Sequence, residues 1–247
     1  MFQEARPVTA PRVIVTRPEP DAGAFAGLCR AHGFEPIVSP VMAIEIEKTT
    51  PDLSGAGALA FTSANGVRAF AANSGARDLP VFAVGQATAE AAKAAGFADI
   101  HVAGGDVDSL AEHIASEKES AGTGVLHIAG EARAGDLVAL LEKSGIPARR
   151  QTLYRAVPAE ALDNAALAAL NDEKADLWVS LFSPRTARLF VTLAERAGLA
   201  PALGRARAAC LSEAVAEAAG TRWRSRHIAA ERTAESLAAL IAAQSQA

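Results

Sequence analysis

Internal repetition is the feature that most constrains the fold of this chain. Three segments recur further along the chain in the same order, and the offset grows slowly from 112 to 120 and then to 126 residues. The pairs are residues 13–17 with 125–129, residues 59–70 with 179–190, and residues 101–103 with 227–229. Repeats of this length indicate repeated structural units, so they constrain the architecture more strongly than single motifs do. Ordered matches with slowly growing offsets indicate a duplicated domain that has received small insertions.

The repeated segments have the pattern of a strand, a small polar turn and a helix. Residues 58–61, 81–84, 125–128, 177–182 and 208–211 form short, largely apolar runs that do not alternate with polar residues. Such runs are typical of parallel strands covered on both faces, and residues with helical spacing follow them. This alternation of strands and helices predicts an α/β protein with doubly wound parallel sheets.

Two extended segments, residues 36–47 and 146–158, interrupt this alternation and predict a two-stranded linker. Because the chain crosses between the halves twice, we expect one domain to be nested in the other. Residues 45–150 would form the inserted domain, and residues 1–40 would join residues 158–247 in a discontinuous one. The predicted fold class is therefore two similar doubly wound, flavodoxin-like α/β domains. Open sheets of this type bind ligands beyond the carboxyl ends of their strands, so we expect a site in the cleft between the domains.

Charge and hydropathy narrow the classes of partner. The 24 basic and 28 acidic residues give a net charge of −4, which is no signature of nucleic-acid binding. The chain has neither an apolar run of about 18 residues nor a charged-then-apolar leader, so we predict a cytoplasmic protein without membrane contact. The basic string at residues 222–227 is more typical of a solvated loop before a strand than of an anion site.

Cysteine and histidine usage gives no metal signature. Cys29 and Cys210 lie in apolar stretches and are predicted to fill the core. The five histidines show no HxxxH, HExxH or Cys/His spacing, so no metal site is predicted; they are His32, His101, His113, His127 and His227.

Small polar residues and glycines follow the predicted strands. Turns of this kind expose backbone N–H groups at helix N-termini, which favour anions, although capping alone would explain any single one of them. The candidate substrate-binding residues are Thr16, Arg17, Thr62, Ser63, Ala64, Asn65, Gly85, Gln86, Gly130, Arg133, Ser183, Pro184, Arg185, Thr186 and Ser212.

The turns match no nucleotide-binding or nucleophile motif: GxGxxG, GxxxxGK[ST] and GxSxG are absent, as are paired carboxylates and a Ser/His/Asp set. Amides, hydroxyls and a few arginines suit a multiply anionic, intrinsically reactive substrate that chiefly needs to be oriented. Tyr154, the only tyrosine, lies on the second linker segment, where its hydroxyl could protonate a departing hydroxyl group. A structural role, in which this ring only packs between the domains, explains the residue equally well.

Five of these segments resemble the uroporphyrinogen-III synthase family: VTRP at 15–18, TSANGV at 62–67, VGQATA at 84–89, LYR at 153–155 and FSPRT at 182–186. The resemblance implies a cofactor-free lyase of tetrapyrrole (heme) biosynthesis. Such an enzyme converts hydroxymethylbilane to uroporphyrinogen III, closing the ring with inversion of the last pyrrole and loss of water. It also implies the family's cleft tyrosine at Tyr154 and hydroxyl-bearing turns at Thr62, Ser63 and Ser183. Many members of the family have a glycine- or proline-containing turn with a hydroxyl group at this point, whereas this chain has CLSE at residues 210–213. The resemblance therefore does not support the substrate-binding role of Ser212 as it does for the other turns.

We therefore expect a monomeric enzyme that binds hydroxymethylbilane, with Arg17, Arg133 or Arg185 near its carboxylates and with no metal, cofactor, nucleic acid or membrane partner. Two alternatives stay open from the residues alone. One is a cytosolic two-lobed binding module, and the other is an enzyme that acts on a different anionic small molecule, such as a sugar phosphate.

Overall fold

The computed structural model describes residues 10–132 and 135–245. The chain divides into two compact units: residues up to Ala43 together with those from Val157 onward, and Ile44–Ala156. Each unit holds a largely parallel sheet with helices on its faces, so the predicted fold class is confirmed. Within the two described ranges, no helix combines the length and the apolar character that a membrane crossing requires.

The discontinuous unit contains five strands: β1 (Arg12–Val15), β2 (Glu35–Val38), β9 (Leu177–Leu181), β10 (Arg207–Cys210) and β11 (Ser225–Ile228). They lie in the order β11-β10-β9-β1-β2, and all neighbouring pairs are parallel. Its helices are α1 (Asp21–Ala31), α7 (Asn164–Asn171), α8 (Pro184–Arg196), α9 (Ala200–Leu203), α10 (Glu213–Ala219) and α11 (Ala234–Ser245).

The sheet of the other unit has five parallel strands: β4 (Ala58–Phe61), β5 (Val81–Ala83), β6 (Ile100–Val102), β7 (Val125–Gly130) and β8 (Ala148–Pro158). β3 (Met42–Ile46) completes the order β3-β8-β7-β4-β5-β6. It runs antiparallel to β8, because Glu47 N donates to Leu153 O at 2.8 Å while Ala159 N donates to Val41 O at 2.9 Å. The helices are α2 (Ala64–Asn73), α3 (Gln86–Ala94), α4 (Val107–Ser116), α5 (Lys118–Ala121) and α6 (Leu137–Lys143).

The repeated segments occupy matching strands in the two sheets. The order β11-β10-β9-β1-β2 in one sheet corresponds to β6-β5-β4-β7-β8 in the other. The first repeat pair forms β1 and β7, the second forms β9 and β4, and the third forms β11 and β6. Each sheet therefore combines strands from the first copy of the repeat with strands from the second.

Burial on both faces explains the apolar strands. Successive side chains of a strand point to opposite faces, so Val13 and Val15 lie in one core cluster and Ile14 in another. Full burial of such a side chain contributes about 1.5–3 kcal/mol. As predicted, both cysteines fill the core: Cys29 lies in the cluster of Val13 and Val15, and Cys210 lies in the cluster of Ile14. Burial raises the pKa of the Cys29 thiol to about 12 and that of the Cys210 thiol to about 11.

Candidate functional site

A pocket of about 320 Å³ lies in the unit formed by residues 44–156, at the carboxyl end of its parallel sheet. The chain leaves β4 toward β5 on one side and leaves β7 toward β8 on the other, so the pocket lies at the switch point where α/β sheets bind ligands. The lining residues are Thr62, Ser63, Val84, Gly105, Asp106, Val107, His127, Ala129, Gly130, Ala132, Gly135, Leu137, Arg150 and Tyr154.

A threonine and a histidine face each other in this pocket. Thr62 follows β4, His127 lies in the neighbouring β7, and Thr62 Oγ1 is 3.1 Å from Nε2 of His127. His127 is 6% exposed, and burial lowers the pKa of its imidazole to about 4. The positive charge of Arg150 adds to this shift, and Asp136 opposes it. The ring is therefore neutral at pH 7, and its Nδ1 has no hydrogen-bond partner within the described ranges.

Arg150 and Tyr154 both line the same pocket from β8. The Arg150 guanidinium donates to the Gly130 carbonyl and, at 2.9 Å, to Thr152 Oγ1. These bonds hold a positive charge at the pocket wall. The Tyr154 hydroxyl makes no hydrogen bond to another residue within 10–132 or 135–245.

Gly130 provides the space for the tyrosine ring. A β-bulge between Ala129 and Gly130 brings Gly130 opposite Tyr154. A Cβ atom at residue 130 would lie 2.7 Å from Tyr154 Cε2 and 2.8 Å from Cζ, which is closer than van der Waals contact permits. The lack of a side chain at residue 130 therefore sets the position of the phenol.

Four predicted residues thus come together in this pocket: Thr62, Ser63, Gly130 and Tyr154. Ser63 is also the N-cap of α2, where its hydroxyl accepts a hydrogen bond of 3.2 Å from Asn65 N. Three further predicted residues of this unit lie beside the pocket rather than in its lining.

Those three are Ala64, Asn65 and Gly85. Ala64 and Asn65 open α2, and the Asn65 side chain accepts a hydrogen bond of 2.7 Å from Arg68 Nη1. Gly85 precedes α3, and a Cβ there would lie 3.5 Å from Cα of the lining residue Gly105. Gln86 is exposed and donates to Glu90 within α3. The predicted residue Arg133 lies outside the described residues.

The other predicted residues belong to the discontinuous unit, where they follow the carboxyl ends of β1, β9 and β10. Ser183 caps α8 by accepting a hydrogen bond of 3.1 Å from Thr186 N, and the two hydroxyl groups also hydrogen-bond each other. Pro184 opens this helix, whereas Arg185 is exposed on its first turn. Ser212 precedes α10 without a side-chain cap bond.

Thr16 and Arg17 use their polar groups within that same unit. Thr16 is fully buried, and its hydroxyl donates to the Ser180 carbonyl at 2.6 Å. Arg17 donates to Asp21 at 2.8 Å, and its guanidinium lies 4.3 Å from the centre of the Phe182 ring. A ligand that binds the Arg17 guanidinium would have to compete with the Asp21 carboxylate.

His127 and Arg150 line the pocket but are not among the residues predicted from the sequence. The signal for His127 was present, since it is the polar residue of β7 at the position where the matching strand β1 has Val15. The signal for Arg150 was its place in the strand-like segment that also holds Tyr154.

Comparisons with known proteins agree with this architecture. The family model described as uroporphyrinogen-III synthase HemD matches residues 23–239. The solved uroporphyrinogen-III synthetase of Helicobacter pylori is 18% identical with a TM-score of 0.66, and the match covers 96% of this chain and 100% of that one. A mutant uroporphyrinogen III synthase of Thermus thermophilus is 20% identical with a TM-score of 0.52, over 96% and 98% of the two chains.

No curated protein sequence gives a significant match to the chain. At these identities the two solved structures support the fold alone, whereas the family model spans most of the chain. The chain belongs to the uroporphyrinogen-III synthase family.

Proposed function

We infer that this protein converts hydroxymethylbilane to uroporphyrinogen III, closing the ring with inversion of the last pyrrole and loss of water. The observation that carries this conclusion is the family match over residues 23–239. The pocket in residues 44–156 adds support, because it combines hydroxyl groups, a helix N-terminus, a neutral imidazole and a guanidinium. This set of groups suits a polar, multiply charged ligand better than an apolar one.

The substrate carries eight carboxylates, which need positive charge and hydrogen-bond donors. In the pocket we assign this role to Arg150 and to the N-terminus of α2, whose first N–H groups favour anions. The Thr62 and Ser63 hydroxyls would donate to the same carboxylates. In the other unit, the turns that hold Arg17 and Ser183 would bind further carboxylates of the substrate.

The first step breaks the C–O bond of the terminal hydroxymethyl group, and the electron pair leaves with oxygen. That oxygen needs a proton to depart as water. His127 is a poor donor, because a pKa of about 4 leaves roughly one imidazole in a thousand protonated at pH 7. We therefore assign the proton to the Tyr154 hydroxyl, which lines the pocket.

This departure leaves an azafulvenium cation, and the substituted carbon of the last pyrrole attacks its methylene carbon to form a spiro intermediate. Fragmentation and reclosure then invert that ring. The final closure releases one proton, which balances the proton consumed when water leaves. Such a sequence chiefly requires the substrate to be held in a folded shape, and binding groups on rigid strand ends provide that orientation.

The substrate is a small molecule, as the family implies. The monomeric state, the cytoplasmic location and the lack of nucleic-acid or membrane partners stay predictions from the sequence.

The test is to supply purified protein with freshly prepared hydroxymethylbilane and to separate the product isomers. We expect the type III isomer to form well above the spontaneous reaction, which gives only the symmetric type I isomer. Formation of type I alone, by protein that is folded by circular dichroism, would refute the assignment. Thermal shift with sugar phosphates in parallel tests the alternative substrate class.

A further inference from the structure

We propose that His101, His113 and Glu117 form a binding site for a divalent transition metal ion of the Zn²⁺ class, separate from the pocket. Their donor atoms, one from each side chain, all lie within 4.8 Å of one another. His101 Nδ1 is 2.5 Å from Glu117 Oε2, and His113 Nε2 is 3.6 Å from Glu117 Oε1. Ligand atoms of a tetrahedral zinc site lie about 3.4 Å apart, so small side-chain rotations suffice to admit the ion.

The fold explains why these three side chains meet. His113 and Glu117 are four residues apart at the C-terminal end of α4, and side chains at this spacing share a helix face. His101 comes from β6, the edge strand of the same sheet. Histidine spacing in the sequence does not reveal this set, because one ligand is a carboxylate and another comes from a separate element.

The surroundings favour a bound cation in three ways. The carbonyl groups at the end of a helix carry partial negative charge, which attracts cations. Asp99 Oδ1 lies 3.0 Å from Nε2 of His101, the ring nitrogen that points away from Glu117, although the two groups are not aligned as a hydrogen bond and this buried nitrogen has no hydrogen-bond partner within the described residues. Metal-bound histidines commonly have a carboxylate at their second nitrogen, which orients the ring. Finally, the His101 ring stacks on buried Phe82 with 4.7 Å between ring centres, which restricts its movement.

Two imidazoles and one carboxylate match the ligand preference of Zn²⁺ and leave a fourth position for water. The site lies at the opposite end of α4 from Asp106 and Val107, which line the pocket, or about 15 Å along the helix. We therefore assign the ion a stabilising role that joins β6 to α4, and no part in the reaction. A network of histidine–carboxylate ion pairs without metal is the competing explanation.

The experiment uses tag-free protein that has been treated with a chelator and then dialysed. Zn²⁺ is titrated by calorimetry, Co²⁺ binding is followed by visible absorption, and the melting temperature is measured with and without Zn²⁺. We expect one ion per chain, a Co²⁺ spectrum of a four-coordinate site and a higher melting temperature with metal. The variants are His113→Asn, Glu117→Gln and Asp99→Asn, with His32→Asn as the control because His32 is exposed and lies in the other unit.

Asp99→Asn should weaken binding about 10- to 100-fold, in line with losses of outer carboxylates at other metal sites. His113→Asn and Glu117→Gln should weaken it further, while His32→Asn should bind like the wild type. Uroporphyrinogen III formation should be unchanged in all of these variants. Equal binding by the wild type and the ligand variants, or binding below one ion per chain at micromolar Zn²⁺, would overturn the proposal and leave an ion-pair network.

Discussion

Thr62 Oγ1 lies 3.1 Å from Nε2 of His127 across two neighbouring parallel strands. His127 is neutral at pH 7 because burial lowers its pKa to about 4, so this contact is a hydrogen bond between uncharged groups. The imidazole therefore fixes the direction of the Thr62 hydroxyl without placing a positive charge beside it. In the proposed function this makes His127 a positioning residue for Thr62.

Removal of either partner should have the same effect on catalysis. We expect Thr62→Val and His127→Leu each to lower kcat/KM about 10-fold, since one hydrogen bond to the substrate is worth about 1.4 kcal/mol. The double variant should be no worse than the poorer single variant, because both changes remove the same interaction. The measurement is a double-mutant cycle of type III isomer formation.

His127→Gln is the control, because its amide can still hydrogen-bond Thr62 and should retain most of the activity. Losses that simply add in the double variant would show that the two residues act separately.

Protonation of His127 should destabilise the fold at low pH. Its folded-state pKa of about 4 lies below the ordinary value of 6.5, so the unfolded chain binds the proton more readily between these values. Stability is therefore lost as the pH falls from about 6.5 toward 4. Between pH 7 and 4.5 we expect this histidine alone to cost about 2 kcal/mol.

Urea unfolding of the wild type and His127→Gln at both pH values measures this cost. The variant should show the smaller loss, because its side chain does not titrate beside Arg150 and Asp136. His32→Gln, which changes an exposed imidazole, should behave like the wild type. Equal pH dependence in all three proteins would contradict the lowered pKa.

The fold could be predicted because the repeats and the apolar runs report long-range architecture. Residues 13–15 are apolar throughout because both faces of β1 are covered, and this pattern distinguishes buried parallel strands from half-exposed ones. The segment 146–158 shows the limit of this reasoning. Its alternation predicted a linker strand, but the sequence does not show that β8 also pairs in parallel with β7.

The candidate site was less accessible to prediction. Turn residues after strands were identifiable by type, and Thr62, Ser63, Gly130 and Tyr154 do line one pocket. The same types also cap helices, as Ser183 does, so residue type alone cannot separate binding from capping. The contact between Thr62 and His127 depends on which strands are neighbours, and no local pattern reports that.

Gly130→Ala should impair catalysis more than folding. The added Cβ would lie 2.7 Å from Tyr154 Cε2, so the phenol must move. We expect kcat to fall roughly 10- to 100-fold, the loss that a displacement of about 1 Å causes in a positioned group. Gly27→Ala is the matched control, because Gly27 is exposed in α1 and a Cβ there meets no atom within 4 Å.

The control variant should be active and about 0.5–1 kcal/mol more stable, as expected for alanine in place of glycine within a helix. Full activity of Gly130→Ala would show that the position of Tyr154 does not matter for the reaction.

Two substitutions at Ser183 can separate capping from substrate binding. Aspartate caps helices about as well as serine, so Ser183→Asp should change stability little, while Ser183→Ala should cost about 1 kcal/mol. If the turn also faces substrate carboxylates, the added negative charge of aspartate should raise KM about 10-fold or more. Steady-state kinetics and urea unfolding of both variants test this. A fully active Ser183→Asp variant would reduce Ser183 to a helix cap.

Tyr154→Phe tests the proposed proton donor. Phenylalanine keeps the ring that packs against Gly130 and removes only the hydroxyl, which makes no hydrogen bond to another residue of the described ranges. Folding stability should therefore change by less than about 0.5 kcal/mol. Turnover should fall roughly 10- to 1000-fold without being abolished, because water or neighbouring donors can replace one phenol in part. The measurement is the rate of type III formation at saturating hydroxymethylbilane, with the spontaneous type I reaction subtracted. An unchanged rate would make Tyr154 a packing residue and would transfer the proton donation to solvent or to the Thr62 and Ser63 hydroxyls.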